Sequence, residues 1–361
     1  MAETPFIITV DTEGDNLWGR PRAITTRNAA YLPRFQRLCE KFGFKPVYLA
    51  NYEMAKSDVF VEFGRDVAAR GAGEIGMHLH PWNSPPLEPL TSDDFFHQPY
   101  LIEYPERVMR EKIRTMTRLL EDRFGRKMVS HRAGRWAFDA RYAAMLLDEG
   151  YLVDCSVTPG VDWSGAPGDP DGNGGPDYTS FPHHPYFLSP CDISIASSGG
   201  LLEVPMTVQP SRLFRRSAWV YRAPGLRRVA RKMSPALRWL CPVALLEKQN
   251  LDAMLELARQ ARDERPTHME FMLHSSELMA EGSPSFRSAL EIDRLYARLE
   301  LLFEELSAWC RGMTLGEFRD WWIRSPNEAG ATRFAERLRG RAMPDPGREL
   351  SAENQNWMAP G

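Results

Sequence analysis

From the amino terminus onward, short apolar runs alternate with stretches whose apolar positions recur at steps of three and four residues. A short continuous apolar run predicts a buried strand, and the longer step predicts a helix with one apolar face. Their alternation predicts βα units in an α/β fold, arranged as a parallel sheet or barrel. The first strand is Phe6-Ile7-Ile8-Thr9-Val10, ending at Asp11. Asn28 stands as the cap of a helix with Leu32, Phe35, Leu38 and Phe42 inward, stopped by Gly43. Strand two is Val47 to Ala50, and a helix from Val59 turns Phe63 and Val67 inward. Strand three, Glu74-Ile75-Gly76-Met77, runs into His78-Leu79-His80.

The loop from Pro81 to Tyr104 is long and rich in proline and aromatics, which suits a segment that covers a site. A helix from Pro105 to Gly125, with Val108, Ile113, Met116, Leu120 and Phe124 on one side, feeds strand four, Met128 to Ala133. Asp139 caps a helix that reaches Gly150, and strand five covers Leu152 to Val157. Residues 158 to 199 break the alternation and predict an irregular insertion. Its Trp163, Tyr178, Phe181, Tyr186 and Phe187 either pin the segment or line a sugar groove. Strand six, Leu201 to Val208, a helix from Asn250 to Asp263, and strand seven, Met269 to His274, complete seven countable units. A long helix from Pro284 to Trp309 and a short one with Phe318 and Trp321 close the folded region, residues 1–324. Residues 325–361 are polar and are expected to form a fraying tail.

At 361 residues the chain is long enough for a sizeable core, and its net charge of −3 shows no overall commitment to nucleic acid. The five cysteines are widely spaced with no Cys-x-x-Cys, which argues against a disulfide framework or zinc ribbon and for reduced thiols. No charged lead followed by an apolar stretch opens the sequence and no apolar run reaches membrane-spanning length, so a cytoplasmic location is expected.

Chemistry concentrates at strand ends. Residues two apart in a strand share a face, so Asp11 and Glu13 form one pair and His78 and His80 another. Two imidazoles and two carboxylates are a donor set for zinc or a similar divalent ion. Each motif alone also suits a structural role, as exposed strand histidines or as a polar boundary in which Asp15 shares the capping. Arg132 and His274 fall at strand ends as well, and catalytic residues of parallel barrels gather there. His274 is a candidate general acid, and Arg132 a candidate to orient Asp11 through forked hydrogen bonds. His131 alternates to the opposite face. The convergence favours a metal-dependent hydrolase.

Four segments carry a family resemblance: Thr9-Val10-Asp11-Thr12-Glu13-Gly14-Asp15, Glu74 to Pro81, Ser130-His131-Arg132-Ala133-Gly134, and Leu273-His274-Ser275-Ser276. In these the chain resembles the NodB-type polysaccharide deacetylases, carbohydrate esterase family 4, and most closely members linked to surface polysaccharide biosynthesis. The resemblance implies a deformed seven-stranded (β/α) barrel that removes an N-acetyl group from a sugar or polysaccharide precursor. It also implies a bound metal, an aspartate base and a histidine acid. On its register Asp11 matches the base and His78 the first metal histidine, while Thr12 stands where the family has a second aspartate. The metal carboxylate then falls to Glu13 or Asp15, with the roles of Asp11 and Glu13 open to exchange. His80 is assigned to the metal by its chemistry, since the family spaces its histidines four apart. The competing readings are a barrel that binds carbohydrate without turnover and a related amide or ester hydrolase.

Between strands six and seven lies a basic amphipathic stretch, residues 212–240, with Arg212, Arg215, Arg216, Arg227, Arg228 and Arg238 among its charges. Contact with an anionic membrane or with a nucleotide- or lipid-linked sugar is one expectation, and a solvated helix face is the favoured one. No nucleic-acid reading motif accompanies the charge.

Overall fold

The computed structural model describes residues 3–210, 237–242 and 250–324. The expected tail, and the basic stretch from 212 to 236, lie outside the described residues. Within them, Arg238 pairs with Glu256 at 2.7 Å.

The main sheet contains the strands β1 (Thr4–Thr12), β2 (Pro46–Ala50), β3 (Glu74–Leu79), β4 (Ser130–Ala133) and β5 (Val153–Asp154). Further along come β6 (Tyr186–Leu188), β7 (Ala196–Ser197), β8 (Leu202–Glu203), the pair β9 (Val208–Pro210) and β10 (Leu237–Trp239), then β11 (Met269–His274) and β12 (Cys310–Gly312). The sheet runs in the order β11-β1-β2-β3-β4-β5-β8-β6-β7, with β12 also on β1. From β11 to β8 every pairing is parallel, which gives the seven strands of the expected α/β architecture in the expected order. Side chains cross the seam between β8 and β11: His268 Nε2 meets the Pro205 carbonyl at 2.7 Å, and Glu270 N donates to Thr207 Oγ1 at 2.8 Å.

Strand alternation sorts the side chains. Phe6, Ile8 and Val10 of β1, Ile75, Met77 and Leu79 of β3, and Phe271 and Leu273 of β11 join the core under the surrounding helices. Residues of the opposite phase turn to the inside of the sheet's curve. At its amino end these are apolar, with Ile7, Val47, Leu49, Val153 and Leu202 packed with Phe318. One step toward the carboxyl end of β1, Ile7 gives way to Thr9 and then to Asp11, so polarity rises toward the rim where the candidate residues lie.

Several boundaries differ from the expected ones, β1 starting at Thr4 and β4 at Ser130 among them. Strand six stops at Glu203 because Pro205 has no N–H for a ladder, and Val208–Pro210 pairs antiparallel with β10 instead. Strand five ends at Asp154, whose carboxylate accepts from Ser156 N at 2.9 Å and turns the chain. The long helix is Ala289–Ser307, because Ser288 and Glu291 form a capping box that starts it there. Asn28 does not cap a helix; it lies in the 3-10 turn Arg27–Tyr31, and the helix begins at Leu32 with Pro33 in its first turn. In the insertion, Trp163 and Tyr178 are buried in a cluster with Trp136, Val161 and Trp239, so these rings pin the segment.

Candidate metal centre

Three loops position the site. After β1 the chain is held by Asn28, whose amide donates to the Glu13 carbonyl at 2.8 Å and to Asp15 Oδ1 at 2.7 Å. Asp15 also accepts from Thr25 Oγ1 and from Arg27 N and Nε, so its oxygens are committed to the loop. Ser275, following β11, accepts from Glu13 N at 3.1 Å and ties the two strand ends together. After β4, Gly134 lies so close to His80 that a Cβ there would stand 2.6 Å from Nδ1 and 2.5 Å from the Leu79 carbonyl.

At the rim Glu13, His78 and His80 each offer one ligand atom, and these atoms all lie within 4.8 Å of one another. All three residues are buried. His80 Nε2 is 3.0 Å from Glu13 Oε2, and His78 Nε2 is 3.7 Å from the same oxygen and 3.8 Å from Asp11 Oδ2. His78 Nδ1 lies 3.0 Å from the Arg132 carbonyl, which can only accept, so Nδ1 holds the proton of the neutral ring. Its Nε2 therefore presents a lone pair toward two carboxylate oxygens. Such an arrangement lacks attraction unless a cation or a proton lies between the groups. Burial pushes His78 down to about 4 and His80 down to about 3, which leaves both rings neutral, as metal ligation requires. His80 Nδ1 is buried with no hydrogen-bond partner. The donor set thus fits a divalent ion, and its nitrogen and oxygen atoms suit zinc.

Asp11 and His274 flank this group. Arg132 donates to Asp11 Oδ1 at 2.6 Å, to Thr9 Oγ1 at 2.8 Å, to the Cys155 carbonyl at 3.1 Å and to Glu270. Burial raises the Asp11 carboxyl, but the charges of Arg132 and of the nearby histidines outweigh it and hold Asp11 at about 2. Glu13, without that arginine, is pushed up by burial. His274 Nε2 is 3.9 Å from Asp11 Oδ2, and its Nδ1 is 3.4 Å from Glu277 Oε2. Burial lowers His274, yet Glu277, Glu13 and Asp11 together raise it to about 9. The Asp11 carboxylate and the His274 ring thus stand 3.9 Å apart at the same opening. His131 faces the other way, bonded to Asp154 at 2.6 Å and to Tyr142 at 2.7 Å.

The opening is a cavity of about 60 Å³ lined by Asp11, Glu13, His78, His80 and His274 together with Leu17, Trp18, Trp82, Gln98, Ala133, Arg135 and Trp136. Trp82 and Gln98 come from the long loop after β3, which therefore forms one wall of the site. Trp82 packs 4.4 Å from the His80 ring, and Trp18 stands edge-on to His274 at 4.8 Å.

Sequence reasoning missed Glu270 and Glu277. Glu270 occupies the inward phase of an otherwise apolar run, and Glu277 follows His274 at the i,i+3 spacing of a shared turn. Both signals were present in the residues.

No protein-family model matches the chain, and no curated protein matches it. Solved structures do. A Parabacteroides distasonis protein provisionally described as a glycoside hydrolase/deacetylase aligns over 90% of this chain and 73% of its own, at 10% identity and a TM-score of 0.54. The fold is the one they share. A provisionally assigned polysaccharide deacetylase from Mycobacterium smegmatis aligns over 95% of this chain and 93% of its own, at 16% identity and a TM-score of 0.47. The Xyl-CE4 domain of a multidomain xylanase, from the hindgut metagenome of Trinervitermes trinervoides, aligns over 90% and 94%, at 9% identity and a TM-score of 0.43.

Proposed function

We propose that this chain is a metal-dependent N-deacetylase that hydrolyses the acetamide of an N-acetylated sugar or polysaccharide precursor. The observation that carries this is the meeting of Glu13, His78 and His80 within 4.8 Å, beside an arginine-paired Asp11 that lies 3.9 Å from His274. Glu13, His78 and His80 are the residues that would hold the ion, with zinc the proposed metal, and Asp15 is set aside because its oxygens already serve the loop. When bound, a divalent cation supplies Lewis acidity to a carbonyl and makes a water molecule more acidic.

The remaining work belongs to the chain. Asp11, ionised at neutral pH and held on one oxygen by Arg132, keeps Oδ2 free to take the proton of an attacking water. An amide nitrogen leaves poorly unless protonated, and His274 holds a proton at neutral pH for that nitrogen. Glu277 faces Nδ1, which leaves Nε2 toward the opening. Trp18, half-buried at the opening, offers an apolar face of the kind on which sugar rings pack, while Trp82 and Trp136 are buried in the wall beside it. The motif resemblance extends the proposal to a NodB-type enzyme of carbohydrate esterase family 4, working in the cytoplasm on precursors of surface polysaccharide. No helix among the described residues is long and apolar enough to cross a membrane.

Acetate release from N-acetylated mono- and oligosaccharides by zinc-loaded protein tests the proposal. Release that is lost in Asp11→Asn and His274→Gln supports it. Carbohydrate binding with no acetate from any substrate would instead mean a barrel that binds without turnover.

A further inference from the structure

The cavity wall contains a cation that the deacetylation chemistry does not use. Arg135 lines the opening, and its guanidinium donates to two backbone carbonyls, Gln98 O and, at 2.8 Å, Pro167 O. It lies over the Tyr100 ring, 4.2 Å from the centroid. A guanidinium has five N–H donors, and these two carbonyls do not use them all. Among the described residues no carboxylate forms an ion pair with it, whereas Arg132, three residues earlier, pairs with Asp11 and Glu270. Some exposed arginines have acidic partners, as Arg107 has Glu88 and Arg110 has Asp148, while Arg65 and Arg126 donate to backbone carbonyls; Arg135 differs from these two in lining the cavity. The one acid near enough to favour its charge, Glu103, accepts instead from Tyr100 N and Asp169 N. Arg20 is close enough to disfavour that charge further.

The backbone accepts strain to put this side chain there. Arg135 has φ 55° and Trp136 φ 63°, two successive non-glycine residues in the left-handed region. Such conformations persist where surrounding structure enforces them, and they cluster at ligand-binding positions. Here the second of them sets the Trp136 ring beneath Arg132, 4.9 Å from its guanidinium carbon, and both lining residues follow directly on β4.

We propose that Arg135 is a specificity residue that receives an anionic group of the substrate, a carboxylate or a phosphate carried by the N-acetylated sugar. Planar, forked recognition of such oxygens is the use to which arginine is best suited. The inference rests on the deacetylase reading for the identity of the sugar, and on the unpaired guanidinium for its charge.

The test compares N-acetylglucosamine, its C6 carboxylate and its 6-phosphate, the two anions separating the two sources of negative charge. Binding to metal-free protein is followed by tryptophan fluorescence, and acetate release by zinc-loaded protein is measured in parallel. At least one anion should bind about tenfold more tightly than the neutral sugar, as expected for one charge-assisted contact. That ratio should fall toward one in Arg135→Gln, be partly kept in Arg135→Lys, and shrink in the wild type as salt rises from low to high. Arg135→Lys keeps the test decisive if Arg135→Gln does not fold: an anion preference left at the wild-type ratio in that variant overturns the proposal. Equal affinity for all three sugars, or an anion preference that survives in Arg135→Gln, overturns the proposal. Anion preference with no acetate from any sugar would overturn the deacetylase reading and leave this one standing.

Discussion

Arg132 donates from one terminal nitrogen to Asp11 at 2.6 Å and from the other to Glu270, so a single buried cation joins two buried carboxylates. The two acids differ in consequence. Asp11 is held at about 2, whereas burial lifts Glu270 to about 7 against the pull of the same arginine. Removing Arg132 strands both acids in a low-dielectric interior. Arg132→Met should lower unfolding stability by about 3–5 kcal/mol. The double variant Arg132→Met with Glu270→Gln should cost less than the two single changes added together. Urea unfolding measures both, and a wild-type midpoint for Arg132→Met would contradict the assignment.

His274 and His78 should separate chemistry from metal retention. His274→Gln should reduce acetate release by about 10²–10⁴-fold, the usual contribution of a general acid, while bound zinc stays near the wild-type amount. His78→Ala should lose both. Parallel measurements of turnover and zinc content decide it, and equal zinc loss in the two variants would be the contrary result.

The raised value of His274 also has a stability consequence in metal-free protein. Its folded value of about 9 lies above the ordinary 6.5, so the folded chain binds this proton more tightly than the unfolded chain. Its contribution is complete below pH 6.5 and is lost as pH rises through about 9. Thermal unfolding of the metal-free wild type should show that loss across the interval, and His274→Gln should lack it. A wild-type midpoint that rises over the same interval, once His274→Gln is subtracted, has the wrong sign.

Glu277 acts through His274. It is buried and meets both the backbone N and Nδ1 of that histidine. Glu277→Gln should keep zinc bound yet move the alkaline limb of kcat/KM to lower pH, because the imidazolium loses a facing carboxylate. A change in amplitude with no shift of that limb would reduce Glu277 to a structural support.

Gly134 sets the distance to His80. Gly134→Ala would place a Cβ 2.6 Å from His80 Nδ1, and crowding of this kind costs about 1–3 kcal/mol. Zinc affinity should drop with it, since the ring must leave the position it holds beside Glu13. Zinc titration and thermal unfolding check both effects, and unchanged affinity would show that the backbone gives way instead.

Much of this was legible in the residues. β1, β3 and β11 could be read because they are short apolar runs, and residues two apart in a strand share a face, which pairs Asp11 with Glu13 and His78 with His80. Position at strand ends selected Asp11, Glu13, His78, His80, Arg132 and His274, which the fold brings to one opening. The spacing left Glu13 and Asp15 equivalent. Only the long-range bonds from Thr25, Arg27 and Asn28 show that Asp15 serves the loop. Strand six read as continuous because its residues suit a strand, and Pro205 ended it through a missing donor. The wall of Trp82, Gln98 and Arg135 was illegible in detail, since loop paths depend on contacts such as Arg135 with Gln98 and Pro167 that no local pattern encodes.

The central claim is that Glu13, His78 and His80 hold one divalent ion. Metal analysis of purified full-length protein reads it directly. Wild type should carry close to one equivalent, with zinc foremost, and His78→Ala, His80→Ala and Glu13→Gln should each lose most of it while Asp15→Asn keeps it if folded. Metal absent from wild type after incubation with zinc, or retained in full by all three ligand variants, would contradict the account.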